Sequence, residues 1–358
     1  MHCGEGAEMT IRSRKADHIE ICRNERTAPG YCYWNDVRLV HDALPEIGLD
    51  SIDTSCRLFG KRLEFPLVVT AITGGFDGAT RINANIASAC ADLGIGMGVG
   101  SERAGIAGVC PESFTVVKEY DVPLVIGNVG APQLVRQKGK DPFRREDVEA
   151  AMDLVGADVM AVHLNFLQEV VQPEGDTNAA GCRDAIRSLA RDLPVIVKET
   201  GAGISRDVAL RLKGIGIRGI DVAGMGGTSF AAVEMHRAGK AEDPVRASVG
   251  RTFLDWGIPA PVSVSEAACS GLPLIASGGV LNGAHAAAAI SMGASCAGVA
   301  NAILKEACES AEAVKMKLET IMEELRAAML LTGSPDIKAL SKARHVVLGE
   351  CRAWMESL

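Results

Sequence analysis

The sequence predicts an α/β fold, a (β/α)8 TIM barrel with an N-terminal extension and C-terminal helices. Three observations carry this expectation. From Phe65 onward, short apolar runs rich in β-branched residues alternate with longer helix-like segments, the pattern of repeated βα units and a parallel sheet. There are eight such runs, the number that closes a barrel. The chain has 358 residues and is 47% hydrophobic, enough for a barrel of about 250 residues with extensions.

The runs begin at Pro66 (PLVVTAI), Ile95 (IGMGVG), Leu124 (LVIGNVG), Asp158 (DVMAVHLN), Pro194 (PVIVKET), Gly219 (GIDVAG), Leu272 (LPLIASGG) and Ala294 (ASCAGVA). Nearly every one ends in polar or glycine residues. In a parallel barrel all strand C-termini open on one face, so these residues should converge there. An open doubly wound sheet is the alternative. No GxGxxG turn directly follows one of these runs with an acidic side chain about 20 residues later, which counts against it.

Residues 1–64, which mix charge, aromatics and cysteine, are expected to form a cap, and residues 65–332 the barrel. After Gly224 the connection through Phe253-Leu254-Asp255-Trp256-Gly257 is long for a βα loop and suggests a functional loop or lid. From Ile303 the sequence ILKEACESAEAVKMKLETIMEELRAAMLL reads as one long amphipathic helix that Gly333 ends. Ser334-Pro335-Asp336 then starts a C-terminal helical segment over 333–358, with Ser334 as N-cap.

Composition narrows the function classes. A formal charge of −8 argues against nucleic-acid and membrane-surface partners, which need a broad basic field. An anionic small molecule needs only a local cluster of Arg and Lys in a pocket. The eleven cysteines are odd in number and contain no CxxC pair, which reads as reduced thiols. With no apolar signal core and no membrane-span stretch, a cytoplasmic location is expected.

Several strand ends gather chemistry. Ala71-Ile72-Thr73-Gly74-Gly75 offers small residues against which a flat ring can lie, although a plain glycine turn fits too. Arg103, after Gly100-Ser101-Glu102, can fork onto a phosphate or simply form a surface ion pair. His163-Leu164-Asn165-Phe166-Leu167-Gln168-Glu169 packs imidazole, amides and a carboxylate into seven residues. The spacing does not match HExxH zinc chemistry, and Glu169 suits Mg²⁺ instead. Lys198 at the end of its run serves a Schiff base, an anionic ring edge or a neighbouring carboxylate. Gly226-Gly227-Thr228, Gly278-Gly279 and Ala300-Asn301 suggest backbone amides cradling a phosphate, as loops after the last barrel strands often do. Two phosphate-bearing ligands follow, a cofactor such as a flavin mononucleotide and a substrate reached by Arg103 and the metal.

At this point the motifs match a family. RKADHI, AITGG, GSERAGI, GNVGAPQL, HLNFLQE followed by QPEGD, VIVKETGAGIS, GMGGTSFAAVE, FLDWGIP, ASGGV and MLLTGSPDIKAL resemble the ordered motif set of the type 2 isopentenyl-diphosphate isomerases, from about Arg14 to Leu340. The resemblance implies FMN contacts at Ala71, Ile72, Thr73, Ser101, Asn128, Lys198, Ala223 and Thr228, with the phosphate near Gly279, Val280, Leu281, Ala300 and Asn301. It implies an isoprenoid diphosphate bound by Arg14, Lys15, Ser101, Glu102, Arg103, His163 and Asn165, and Mg²⁺ bound by Glu169. Gln168, Lys198 and His163 would be catalytic, Gln168 facing the double bond. Reduced FMN would act as acid/base, with NADPH as reductant, in a homo-oligomer (tetramer or octamer).

Two positions depart from the family pattern. Where the family usually reads GGIR[ST]G, this chain has Gly278-Gly279-Val280-Leu281-Asn282-Gly283, and a common serine is Ala223. A weaker or differently balanced hold on FMN is expected. A 2-hydroxy-acid oxidase on the same barrel would want a His base directly after the sixth strand. Here that turn is Ala223-Gly224-Met225-Gly226-Gly227, and His236 comes only in the following helix. A non-catalytic flavin or prenyl-phosphate binding protein is the remaining reading.

Overall fold

The computed structural model describes residues 4–358, with side chains described from residue 13 onward. The chain opens with the helix Gly4–Asn24 and a short strand β1 (Val37–Leu39), followed by a hairpin, β2 (Cys56–Leu58) and β3 (Lys61–Leu63). Eight parallel strands then close a barrel: β4 (Leu67–Val69), β5 (Gly96–Gly98), β6 (Leu124–Gly130), β7 (Val159–His163), β8 (Val195–Lys198), β9 (Gly219–Asp221), β10 (Leu274–Ala276) and β11 (Cys296–Val299). Closure is made by β11 against β4, with Ala297, Gly298 and Val299 opposite Leu67, Val68 and Val69. Each predicted run holds one of these strands. Their residues are buried on both faces, which is why the runs read as nearly continuous apolar stretches rather than as alternation.

Two apolar layers result. The larger lies between the barrel and its surrounding helices. The smaller fills the barrel's lower interior with Val68, Ile126, Ala161, Ile196 and Ile275, and the hairpin closes that end with Leu58, Phe59 and Leu63. Gly219 shows how tightly: a Cβ there would meet the Phe59 ring at 2.4 Å. The N-terminal segment therefore works at both ends, its hairpin below and its first helix at the upper mouth. A last strand, β12 (His345–Val347), pairs antiparallel with β1 and ties the chain's tail to its head.

Three local expectations are corrected. The long C-terminal helix is broken: Leu304–Ala307 ends, Ser310 caps the N-terminus by accepting from Ala313 N–H, and Ala311–Leu330 follows. Ser310 is a strong capping residue, and helical periodicity alone does not register it. Gly333 does follow that helix with φ +62°. The next helix, Ile337–Leu340, is capped by Asp336, whose side chain accepts from Ala339 N–H, rather than by Ser334, which is buried and bonded to Thr332. The long connection after Gly224 is filled by the helix Pro244–Thr252, capped by Asp243. Phe253 and Trp256 pack edge to face beyond it.

Candidate active site

A cavity of about 390 Å³ opens at the C-terminal ends of the barrel strands, a size that suits a cofactor or small substrate. The helix Gly4–Asn24 lies across it and contributes Arg14, Lys15 and His18. No residue from Phe253 to Gly257 lines it, so that loop is not its lid in this structure. His236 sits in the helix Phe230–Lys240, away from the cavity.

One side of the cavity is made of backbone and small residues. Ala71, Ile72, Thr73, Ser101 and Thr228 line it, together with Ala223, Ala300 and Asn301. The turns after β9 and β10 press against one another so closely that only glycine fits. A Cβ at Gly278 would lie 2.0 Å from the Gly224 oxygen, and one at Gly279 would lie 2.5 Å from the Gly226 oxygen. Gly278 and Gly279 also adopt positive φ, +98° and +77°, which an L side chain rarely takes. Among the described residues no acceptor takes the N–H groups of Gly279 and Val280. Such a pair of open donors fits a phosphate. Leu281 is half exposed at the rim and Asn282 caps the helix Gly283–Ser291, so this turn offers backbone donors and no side-chain cation.

Lys198, at the tip of β8, lines the same wall. Its ammonium donates to the Glu199 carbonyl at 2.5 Å and stands 3.7 Å from the Asp221 carboxylate. Ser277 donates to the other Asp221 oxygen. Burial pushes the Asp221 carboxyl up, and Lys198 and Ser277 oppose that shift. A lysine so held presents a fixed positive edge to a planar ligand.

The opposite side is cationic. Arg14, Lys15 and Arg103 converge there from two separate parts of the chain. Arg103 is paired with Asp176 at 2.9 Å, and Arg14 approaches Glu174 at 3.7 Å while its buried Nε finds no partner. Lys15 has no acidic partner among the described residues. Burial, with Arg14 and Arg103 beside it, lowers its pKa to about 7. Three cations under an open cavity, one of them without an acidic partner, fit a multiply charged anion.

Glu169 stands next to this cluster. Its Oε2 accepts the Asp176 N–H at 2.6 Å, leaving Oε1 available as a ligand atom. Burial, with the Asp176 charge adding to it, raises the carboxyl, while the Asp176 N–H, Arg14 and Arg103 oppose the rise. One buried carboxylate beside an anion site fits Mg²⁺, which takes few protein ligands and completes its shell from phosphate and water.

Between the two sides lies a chain of polar side chains. His163 Nδ1 contacts Asn128 Oδ1 at 2.8 Å, and Asn128 Nδ2 donates to the Val99 carbonyl. That orientation makes Nδ1 the protonated nitrogen. Burial, then Lys198 and Lys15, lowers His163 to about 3, so the ring is neutral at physiological pH. Asn165, in the left-handed region at φ +50°, donates to Gln168 Oε1 at 2.7 Å and accepts from Thr200 at 2.6 Å. Gln168 Nε2 donates to Glu234 Oε1 at 2.7 Å.

Glu234 is fully buried and also accepts from His18 at 2.9 Å and Arg237 at 2.6 Å. Burial alone would push its carboxyl up. The His18, Arg237 and Gln168 donors outweigh burial and hold it well below the usual carboxylate range.

Every site residue expected from the sequence lines this cavity except Glu102. Glu102 is fully buried behind the wall, its Oε1 accepting the Asn128 N–H at 2.6 Å and its Oε2 without a partner. Burial raises it to about 8, with the Asn128 N–H opposing. It supports the strand that carries Asn128 and cannot reach a ligand. Sequence reasoning missed Glu234, His18 and Asp176. Glu234 had a signal, being a carboxylate among Ala231, Ala232, Val233 and Ala238 on the buried face of its helix.

Fold and site together define a barrel protein of the FMN-dependent class: residues 166–347 match the family model described as FMN-dependent dehydrogenase. Solved structures share the architecture at low identity. A lactate oxidase from Pediococcus acidilactici superposes with a TM-score of 0.68 at 14% identity, covering 96% of this chain and 94% of that one. A mandelate oxidase gives 0.64 at 18%, covering 95% and 98%. At those identities the likeness concerns the fold alone. Curated relatives are much nearer. An isopentenyl-diphosphate delta-isomerase of Thermoplasma acidophilum is 45% identical over 349 residues, covering 97% of this chain and 99% of its own. One from Archaeoglobus fulgidus is 42% identical over 353 residues, with the same coverages. The chain belongs to the isopentenyl-diphosphate delta-isomerase family.

Proposed function

We propose that the protein converts isopentenyl diphosphate to dimethylallyl diphosphate by a 1,3-allylic shift of the double bond, with reduced FMN and Mg²⁺ bound in the cavity. The observation that carries this reading is the placing of the Arg14, Lys15 and Arg103 cluster and a fixed glutamine amide in one cavity with a glycine cradle. No histidine base follows β9, which disfavours hydroxy-acid oxidation.

Arg14, Lys15 and Arg103 would bind the diphosphate, with Glu169 Oε1 taking Mg²⁺ against it. His163 and Asn165 line that end of the pocket, and the neutral His163 cannot give up a second proton there at physiological pH. Gln168 would face the hydrocarbon. Its amide is held from both ends, so it orients a proton path without being acidic enough to supply the proton. Gly279 and Val280 N–H groups, with Asn301, would hold the FMN phosphate, and Lys198 would steady the anionic edge of the ring. Bound reduced FMN supplies the acid and base for the shift with no net redox change. The helix Gly4–Asn24, which contributes Arg14, Lys15 and His18 to the lining, would shield a bound substrate from water. A homo-oligomer (tetramer or octamer), NADPH as physiological reductant and the division into cap, barrel and C-terminal segment belong to the same reading.

Proton NMR in D₂O tests it. Protein loaded with FMN and Mg²⁺, then reduced with dithionite or NADPH, should turn isopentenyl into dimethylallyl diphosphate with deuterium incorporation. Reduced, metal-loaded protein that leaves the substrate unlabelled and unconverted would refute it.

A further inference from the structure

We propose that Cys56 and Cys296 form a dithiol modification site at the base of the barrel, which a hydroperoxide converts to a disulfide joining the basal hairpin to the barrel wall. The two sulfurs stand 3.8 Å apart, although the residues are 240 positions apart in sequence. Cys56 is half-buried on β2, and Cys296 is fully buried on β11. Both side chains belong to the apolar cluster that the hairpin closes.

The site can react without disturbing the barrel. A disulfide needs the sulfurs to close to about 2.05 Å. The hairpin is a separate two-stranded sheet with no ladder to the barrel, so it can follow that shift without breaking a barrel strand pair. The two thiols also differ in role. The Cys296 thiol, hydrogen-bonded to Cys56, favours the Cys56 thiolate, which burial opposes. The same hydrogen bond, with burial, keeps Cys296 protonated. Cys56 is therefore the attacking sulfur and Cys296 the resolving one.

The chemistry balances in two steps. The Cys56 thiolate attacks the hydroperoxide O–O bond, forming a sulfenic acid and releasing, after proton uptake, the alcohol, which for hydrogen peroxide is water. Cys296 sulfur then attacks the sulfenic sulfur, its proton leaving with the hydroxyl as water. Sulfur is oxidised by two electrons overall, and the peroxide is reduced. The cavity lies at the other end of the barrel, so the cross-link leaves the candidate active site intact.

The full-length protein, purified under reductant and then desalted, is treated with hydrogen peroxide, alkylated and mapped by non-reducing peptide mass spectrometry. The expected result is a linked Cys56–Cys296 peptide about 2 Da lighter than the sum of its reduced parts, lost on adding dithiothreitol. Cys56→Ser should abolish the link and leave Cys296 a thiol. If the wild-type protein instead shows Cys56 alkylated or oxidised to sulfinic acid while Cys296 stays a thiol, the proposal is overturned. That readout does not depend on the variant folding.

Discussion

Gln168 donates its side-chain amide to Glu234 at 2.7 Å, and Glu234 in turn accepts from His18 of the N-terminal helix at 2.9 Å. The amide that would face substrate is thus tied to the cap through a single buried carboxylate. Glu234→Gln removes the charge that His18 and Arg237 are arranged around and leaves one amide oxygen to serve donors that two carboxylate oxygens shared, which loosens the hold on Gln168. Turnover should fall by about 10²-fold, with a smaller change in KM, because positioning rather than diphosphate affinity is lost. Steady-state kinetics with unchanged circular dichroism would check it.

Lys15 sets a pH dependence. Its pKa in the folded chain is about 7 against an ordinary 10.5, and a diphosphate binds the charged form. Binding should draw the lysine back to the charged state, so proton uptake is expected between about pH 7 and 9, and affinity should weaken as pH rises through that window. Calorimetry in two buffers of different ionisation enthalpy measures the uptake. The same depressed pKa makes the ligand-free protein more stable as pH rises from 7 toward 10.5, since the unfolded chain holds the extra proton.

Glu169→Gln should remove the candidate metal ligand while keeping an acceptor for the Asp176 N–H. We expect the Mg²⁺ concentration for half-maximal activity to rise by about 10²-fold, with FMN binding unchanged. A magnesium titration beside a flavin fluorescence titration separates the two effects.

The glycine cradle gives paired variants. Gly279→Ala places a Cβ at positive φ and 2.5 Å from the Gly226 oxygen, so FMN affinity should drop by at least about 10²-fold. Leu281→Arg adds a cation at an exposed rim position and should tighten FMN by roughly 3- to 10-fold. Quenching of flavin fluorescence reads both.

Glu102 predicts a stability effect away from ligand. Its folded pKa of about 8 lies above the usual 4.5, so the unfolded chain releases the proton first and stability declines between pH 4.5 and 8. Glu102→Gln keeps the acceptor for Asn128 N–H and should be more stable than the parent above pH 8, by roughly 3 kcal/mol. Urea unfolding at pH 6 and pH 9 tests the sign.

The barrel was legible because its strands are buried on both faces and their polar ends cannot be explained by packing. His163, Lys198 and Gly279 stand at strand ends for that reason, and the cavity gathers them. What the sequence did not reveal is direction and partnership. Glu102 sits between Ser101 and Arg103, both on the cavity, yet its side chain turns behind the wall. Asp176 and Glu234 lie 73 and 66 positions from the partners they hold, Arg103 and Gln168, a separation that no local pattern encodes. The basal hairpin was likewise hidden, because Leu58, Phe59 and Leu63 are a few apolar residues in a polar stretch until a barrel stands above them.

Among the described residues, the helix Gly4–Asn24 is fastened to the helix Phe230–Lys240 by three contacts between acidic and basic side chains, Asp17 with Arg237, His18 with Glu234 and Glu20 with Lys240. Two of the three cations at the candidate anion site ride on that appended helix, while the cradle and Lys198 belong to the barrel. Under the proposed function, ligand choice and cofactor retention are housed in separable parts of the polypeptide. A scaffold organised in this way can exchange what it accepts at the doorway while keeping its interior machinery unaltered.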